Sequence, residues 1–128
     1  STFFGFLLIK LYESNPDISP YFIATLLSYP CFELLFSIIR KVRKKKSALE
    51  PDTNHLHQLL FSILKKKIKK NNLSNVSTGL LINFYNVFIA YIACQNIYST
   101  KHQLSLIMLN IFIYNLFFLI LFKFSKND

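Results

Sequence analysis

Apolar residues in this chain are gathered into long blocks, separated by short polar segments. Three blocks, at about residues 20–39, 79–98 and 104–124, are each long enough to cross a bilayer core, which takes about 20 residues at about 1.5 Å per residue. A fourth block at about residues 1–12, opening with Phe3, Phe4, Phe6, Leu7 and Leu8, has only about half that length. It has neither a basic start nor a small-residue cleavage site, so it does not read as a signal peptide. It reads as the end of a membrane helix whose beginning precedes Ser1. The pattern predicts an all-α, polytopic membrane helix bundle. Its parts are three complete transmembrane helices at about 20–41, 77–98 and 103–124, the end of a fourth at about 1–12, and a loop at about 42–75. On this reading residues 1–128 are one membrane domain, the C-terminal part of a longer protein.

Charge orients the bundle. Of 15 Lys and Arg residues against 6 Asp and Glu, most of the basic ones fall in two runs within residues 40–70, beside two of the blocks. The connection at residues 13–19 carries Glu13 and Asp17 and no basic residue. The positive-inside rule places the basic loop and the C-terminus in the cytoplasm, and residues 13–19 and 99–102 outside. Such runs set topology and attract anionic lipid. Nucleic-acid binding would need a soluble module to present them, and none is visible, so no nucleic-acid partner is expected. The sequons beginning at Asn72 and Asn75 lie on the cytoplasmic side and read as chance matches.

Composition excludes other classes. A chain that is 52% hydrophobic cannot be a disordered one and would be unusual as a soluble domain. Cys31 and Cys94 sit in apolar blocks and read as small buried hydrophobes, with no disulfide framework or zinc spacing.

Polar residues inside the blocks are the next signal. Glu33 is an intramembrane carboxylate, costly and by default functional. Tyr29, Glu33, Ser37 and Arg40 share one helix face, which points to a polar cleft or to an interhelical hydrogen bond or ion pair. Pro30 is expected to kink that helix. Gly79, Asn83, Asn86, Ala90 and Ala93 form a small and polar stripe suited to close helix packing, and Asn110 and Asn115 read in the same way. Phe and Leu on the last helix are expected to face lipid.

Within the basic loop, Pro51 and Asp52 mark a helix start, with Asp52 or Thr53 as the cap. Leu56, Leu59, Leu60 and Ile63 follow at helical spacing, giving an apolar face for the membrane or for other helices. His55 and His57 fall in the predicted first turn. A helix N-terminus with two imidazoles and flanking basic runs is a site for an anion, and a diphosphate at the membrane surface suits it. A metal site is weaker, because the two rings are expected on different helix faces with no third ligand nearby.

Three motifs in order resemble the C-terminal third of the polyprenyl-phosphate sugar-1-phosphate transferases, the bacterial family that includes undecaprenyl-phosphate N-acetylglucosamine-1-phosphate transferase. Ser1-Thr2-Phe3-Phe4-Gly5-Phe6 resembles the second half of that family's Gly-Asp-x-Gly-Ser-x-Phe-Leu-Gly-Phe. Pro30-Cys31-Phe32-Glu33, followed by Arg40-Lys41-Val42-Arg43, resembles its Pro-x-Phe-Asp helix and basic stretch. Pro51-Asp52-Thr53-Asn54-His55-Leu56-His57-Gln58 resembles its Pro-Asp-x-x-His-Leu-His-His. The resemblance covers about residues 1–64; beyond it the last two helices agree in number and topology. Glu33 stands where the family has Asp, and Gln58 where it has His.

The resemblance implies a reaction: transfer of a sugar-1-phosphate, an N-acetylhexosamine-1-phosphate, from a UDP-sugar to undecaprenyl phosphate at the bacterial inner membrane, with release of UMP and with Mg²⁺. It assigns His55 and His57, with Gln58, Asp52 and Arg43, to the nucleotide-sugar diphosphate. Glu33, Ser37 and Arg40 support them from the membrane. The family's Asp-rich metal motifs belong to helices that would precede Ser1. The chain alone is therefore expected to hold no Mg²⁺ and no catalytic residue, and to be inactive. The competing expectation is a non-catalytic, degenerate membrane protein with an assembly or anionic-lipid-binding role. A channel is disfavoured, since no pore-lining series repeats.

Overall fold

The computed structural model describes residues 2–43, 45 and 55–126, with the side chains of residues 2, 4 and 126 left aside. Among these the chain is all-helical, without a strand. Helices run in the order α1 (Thr2–Ser14), α2 (Pro20–Leu26), α3 (Ser28–Arg43), α4 (Leu56–Ile68), α5 (Asn71–Cys94) and α6 (Thr100–Lys126). Two of them, α5 and α6, are long and apolar enough to cross a membrane. Their outer faces carry large apolar side chains that a soluble protein would bury. Phe84 is 74% exposed and Phe112 66%. Apolar surface on this scale marks contact with lipid or with other apolar surfaces. These are the features of a membrane protein.

The block expected as one helix over residues 20–41 is two helices, α2 and α3, bent by 70° at Leu27. Pro20 begins α2 at the first helical position, where its missing N–H costs nothing. Pro30 ends it from a distance. Proline has no N–H to donate to the carbonyl four residues back, and its ring clashes with that carbonyl. Four residues before Pro30 is Leu26, the last residue of α2. Hydrogen bonding resumes at once on either side, with Leu27 N–H donating to Ile23 and Cys31 N–H to Leu27.

Other boundaries move too. Helix α5 starts about eight residues earlier than the apolar block at 79–98 and stops before its end. Its first two turns are polar, and Ser74 and Thr78 donate back to the carbonyls of Lys70 and Ser74 at 2.9 and 2.8 Å. Helix α4 begins at Leu56 with His55 as its N-cap, not at Asp52 or Thr53, which lie outside the described residues. Its apolar face packs against α5 and α6, burying Leu56 and Leu59. Lys69, in the left-handed region with φ 58°, turns the chain from α4 into α5.

Two apolar cores hold the bundle. Ile18, Phe22, Ala93 and Leu106 form one, between α2, α5 and α6. Phe32, Leu56 and Tyr114 form the other, where α3, α4 and α6 meet, with Phe36 stacked on Tyr114 at 5.0 Å between ring centroids. The connections at residues 15–19 and 95–99 lie at the same end of the bundle. Ser19 N–H donates to Ile97 carbonyl at 3.0 Å, and the Ser19 and Thr100 hydroxyls are 3.2 Å apart.

Three expectations are corrected. Cys31 and Cys94 are exposed, on the outer surface of apolar helices. The α5 stripe is not a packing seam along its length: Ala93 is fully buried, but Asn83 is exposed and a Cβ on Gly79 would meet nothing within 4 Å. Of the two asparagines in α6, Asn110 pairs across helices with Tyr85, whereas Asn115 bonds its own helix at Ile111.

Candidate functional site

The site is built around one carboxylate. Glu33 lies one turn after Pro30 on the inward face of α3 and is 8% exposed. Its Oε1 accepts from the Tyr29 hydroxyl at 3.0 Å and from the backbone N–H of Leu56 at 3.0 Å. Its Oε2 lies 2.8 Å from His55 Nδ1. His57 Nδ1 is 3.9 Å from Oε1, beyond hydrogen-bond range but close enough for charge to matter.

The local sequence explains the arrangement. His55 has the extended backbone of an N-cap, φ −70° and ψ 147°, but its side chain does not cap the helix. The missing cap comes from another element, because the Glu33 carboxylate takes the N–H of Leu56, the first helical residue. A carboxylate at that place satisfies an orphan donor and complements the positive end of the helix dipole. Since His55 precedes the helix, the helical rotation does not separate it from His57. The two rings stack, 5.5 Å between centroids and 16° from parallel, which corrects the expectation of different faces.

Ser37 is buried and Arg40 half-buried on the face shared with Tyr29 and Glu33. Of this face, Tyr29 borders an apolar cavity. The face meets the head of α4 and the aromatic side of α6, with Tyr29 6.5 Å from Tyr114 and the Arg40 guanidinium 4.8 Å from the Phe118 ring. Gln58 and Arg43 are exposed and stand outside this hydrogen-bonded set among the described residues. Asp52 lies outside the described residues.

The cluster's outer side offers donors. His57 is half exposed and Gln58 is exposed, and both belong to the first turn of α4, whose N–H groups have no partner within the helix. Leu59 N–H already donates to His55 carbonyl at 3.0 Å. The carboxylate-held His55, the His57 ring stacked on it and the first turn of α4 together can bind an oxyanion. Mg²⁺ does not fit these residues. It demands oxygen ligands, and both oxygens of Glu33 are occupied by donors. Among the described residues no group of three His, Cys, Asp or Glu is placed to hold a metal.

Two features escape sequence reasoning. The N–H of Leu56 is a backbone donor, invisible in a side-chain pattern. An apolar cavity of about 240 Å³ beside the cluster, with Tyr29, Leu56, Tyr85 and Tyr114 in its wall, is formed by four helices distant in sequence. No known protein family, curated protein or solved structure matches the chain.

Proposed function

We propose that this chain is the C-terminal part of a membrane transferase that moves a sugar-1-phosphate, an N-acetylhexosamine-1-phosphate, from a UDP-sugar to undecaprenyl phosphate with release of UMP. In this reading the His55/His57 pair contacts the diphosphate of the nucleotide sugar. The observation that supports it is convergence. Glu33 and the His-Leu-His segment belong to separate motifs 22 residues apart, and they meet at one carboxylate. The chain's own residues supply binding and orientation. The imidazoles and the first-turn N–H groups of α4 hold diphosphate oxygens, and Glu33 of α3 fixes His55. The metal chemistry and the attack by the lipid phosphate belong to parts of the enzyme outside these residues.

The test is transfer of labelled sugar phosphate from UDP-N-acetylglucosamine to undecaprenyl phosphate in membranes carrying the full-length gene product. His55→Ala and His57→Ala should each lower turnover by at least about 100-fold, the usual loss for one donor aimed at developing charge, with membrane insertion unchanged. Purified alone, the chain should release no UMP above a protein-free control.

One observation favours a second reading, a non-catalytic role on anionic lipid: Lys65, Lys66 and Lys67 are exposed at the end of α4. If that is the function, both alanine variants are nearly neutral and charge reversal at these lysines is harmful.

A further inference from the structure

We infer that Glu33 is a positioning residue that makes Nε2 of His55 the working nitrogen of the cluster. An ionised carboxylate can only accept hydrogen bonds. Oε1 is engaged by the Leu56 N–H, a donor with no alternative role, and by the Tyr29 hydroxyl. Oε2 faces His55 Nδ1 at 2.8 Å, so the proton of that bond sits on Nδ1. Neutral His55 then carries its lone pair on Nε2; the imidazolium donates outward from Nε2 while Nδ1 stays on Glu33.

The ring is held against turning over. Its side chain is 26% exposed, it stacks on His57, and its backbone carbonyl is tied to Leu59 N–H. Ionisable groups facing this cluster among the described residues are Glu33 and Tyr29 of α3, His57 of α4 and Tyr114 of α6, with Arg40 of α3 reaching Tyr114. His57 differs from His55. Its Nδ1 is out of hydrogen-bond range of Glu33 and its side chain is 52% exposed, so its protonated nitrogen is not assigned by the protein. The pair therefore has one fixed ring and one adaptable ring. An oxyanion arriving at the fixed ring meets a nitrogen that must take up one proton to donate. This last step rests on the diphosphate reading above; the assignment of the nitrogens does not.

The experiment is long-range ¹H–¹⁵N spectroscopy of the full chain, labelled with ¹⁵N-histidine and held in lipid nanodiscs at a pH where His55 is neutral. His57→Gln and His102→Gln variants assign the His55 signals. We expect a pyrrole-type resonance at Nδ1 and a pyridine-type resonance at Nε2. Glu33→Gln should exchange them, because its amide NH₂ donates to Nδ1 while its carbonyl keeps the Leu56 N–H. Glu33→Asp, which retains a carboxylate, should restore the wild-type pattern. The inference is overturned if wild-type His55 carries its proton on Nε2, or if Glu33→Gln leaves the pattern unchanged in a folded protein. If Glu33→Gln fails to fold, the wild-type spectrum alone decides. UDP is then titrated into the wild type. Protonation of Nε2 on binding is expected. A fixed wild-type pattern with no response to UDP would overturn the diphosphate reading and leave the positioning role standing.

Discussion

Gln103 is completely buried, and its Nε2 donates to the carbonyl oxygens of Ala93 at 2.9 Å and Asn96 at 3.0 Å. One side chain of α6 thus adds a second donor to carbonyls at and just beyond the C-terminal end of α5, where intrahelical donors run out. Gln103→Leu keeps much of the volume and removes both bonds, while each carbonyl keeps a backbone donor, Asn96 N–H for Ala93 and Ser99 N–H for Asn96. We expect a loss of about 0.5–1.5 kcal/mol, read by reversible unfolding in detergent. Glu33 plays the matching part at the head of α4. Glu33→Ala leaves the Leu56 N–H without its acceptor, and amide exchange should rise in the first turn of α4 while α6 stays protected. Glu33 and both histidines are legible in the sequence, because an intramembrane carboxylate and paired histidines stand out from apolar surroundings. Their meeting is not. It depends on where α4 begins, and His55 outside the helix behaves unlike His55 inside its first turn.

At the scale of the element, apolar length is a good guide to α6 and a poorer one to the rest. Hydropathy cannot register the polar first turns of α5, whose helix is extended by Ser74 and Thr78 bonding back to the backbone. Nor does it see that Pro30 divides an apolar block, although the proline's chemistry announces a break nearby. Pro30→Ala restores an N–H that can donate to Leu26. The 70° bend should open toward a straight helix, measured as a longer distance between spin labels placed on α2 and α3. Gly79 offers a second test. With nothing within 4 Å of its missing Cβ, Gly79→Ala should stabilise the chain by about 0.5–1 kcal/mol in thermal unfolding.

At the scale of the whole molecule, charge sorts the ends and hydrogen bonds gather one of them. Ser19, Ile97 and Thr100 tie two connections together at the poorly charged end. The basic residues Arg40, Lys41 and Arg43 close α3, and Lys65, Lys66 and Lys67 close α4. With native cysteines replaced by serine, single cysteines at Asp17 and Lys69 should react with an impermeant maleimide from opposite faces of the membrane, Lys69→Cys from the cytoplasm. Labelling of both from one face would overturn the topology.

The bend at Leu27 has a consequence for the surrounding bilayer. Helix α2 packs against α5 and α6, and α3 swings 70° from its direction. Sixteen residues of helix are about 24 Å long, so α3 advances only about 8 Å along the axis of α2 and spends the rest sideways. Its Leu34, Leu35 and Ile38 point outward over that sideways reach. With α2 upright in a bilayer, α3 would widen the molecule in the leaflet that holds it, a wedge whose fit depends on lateral pressure. Lipids with small headgroups, which ease packing beside such a wedge, should raise its stability in vesicles at constant thickness and charge.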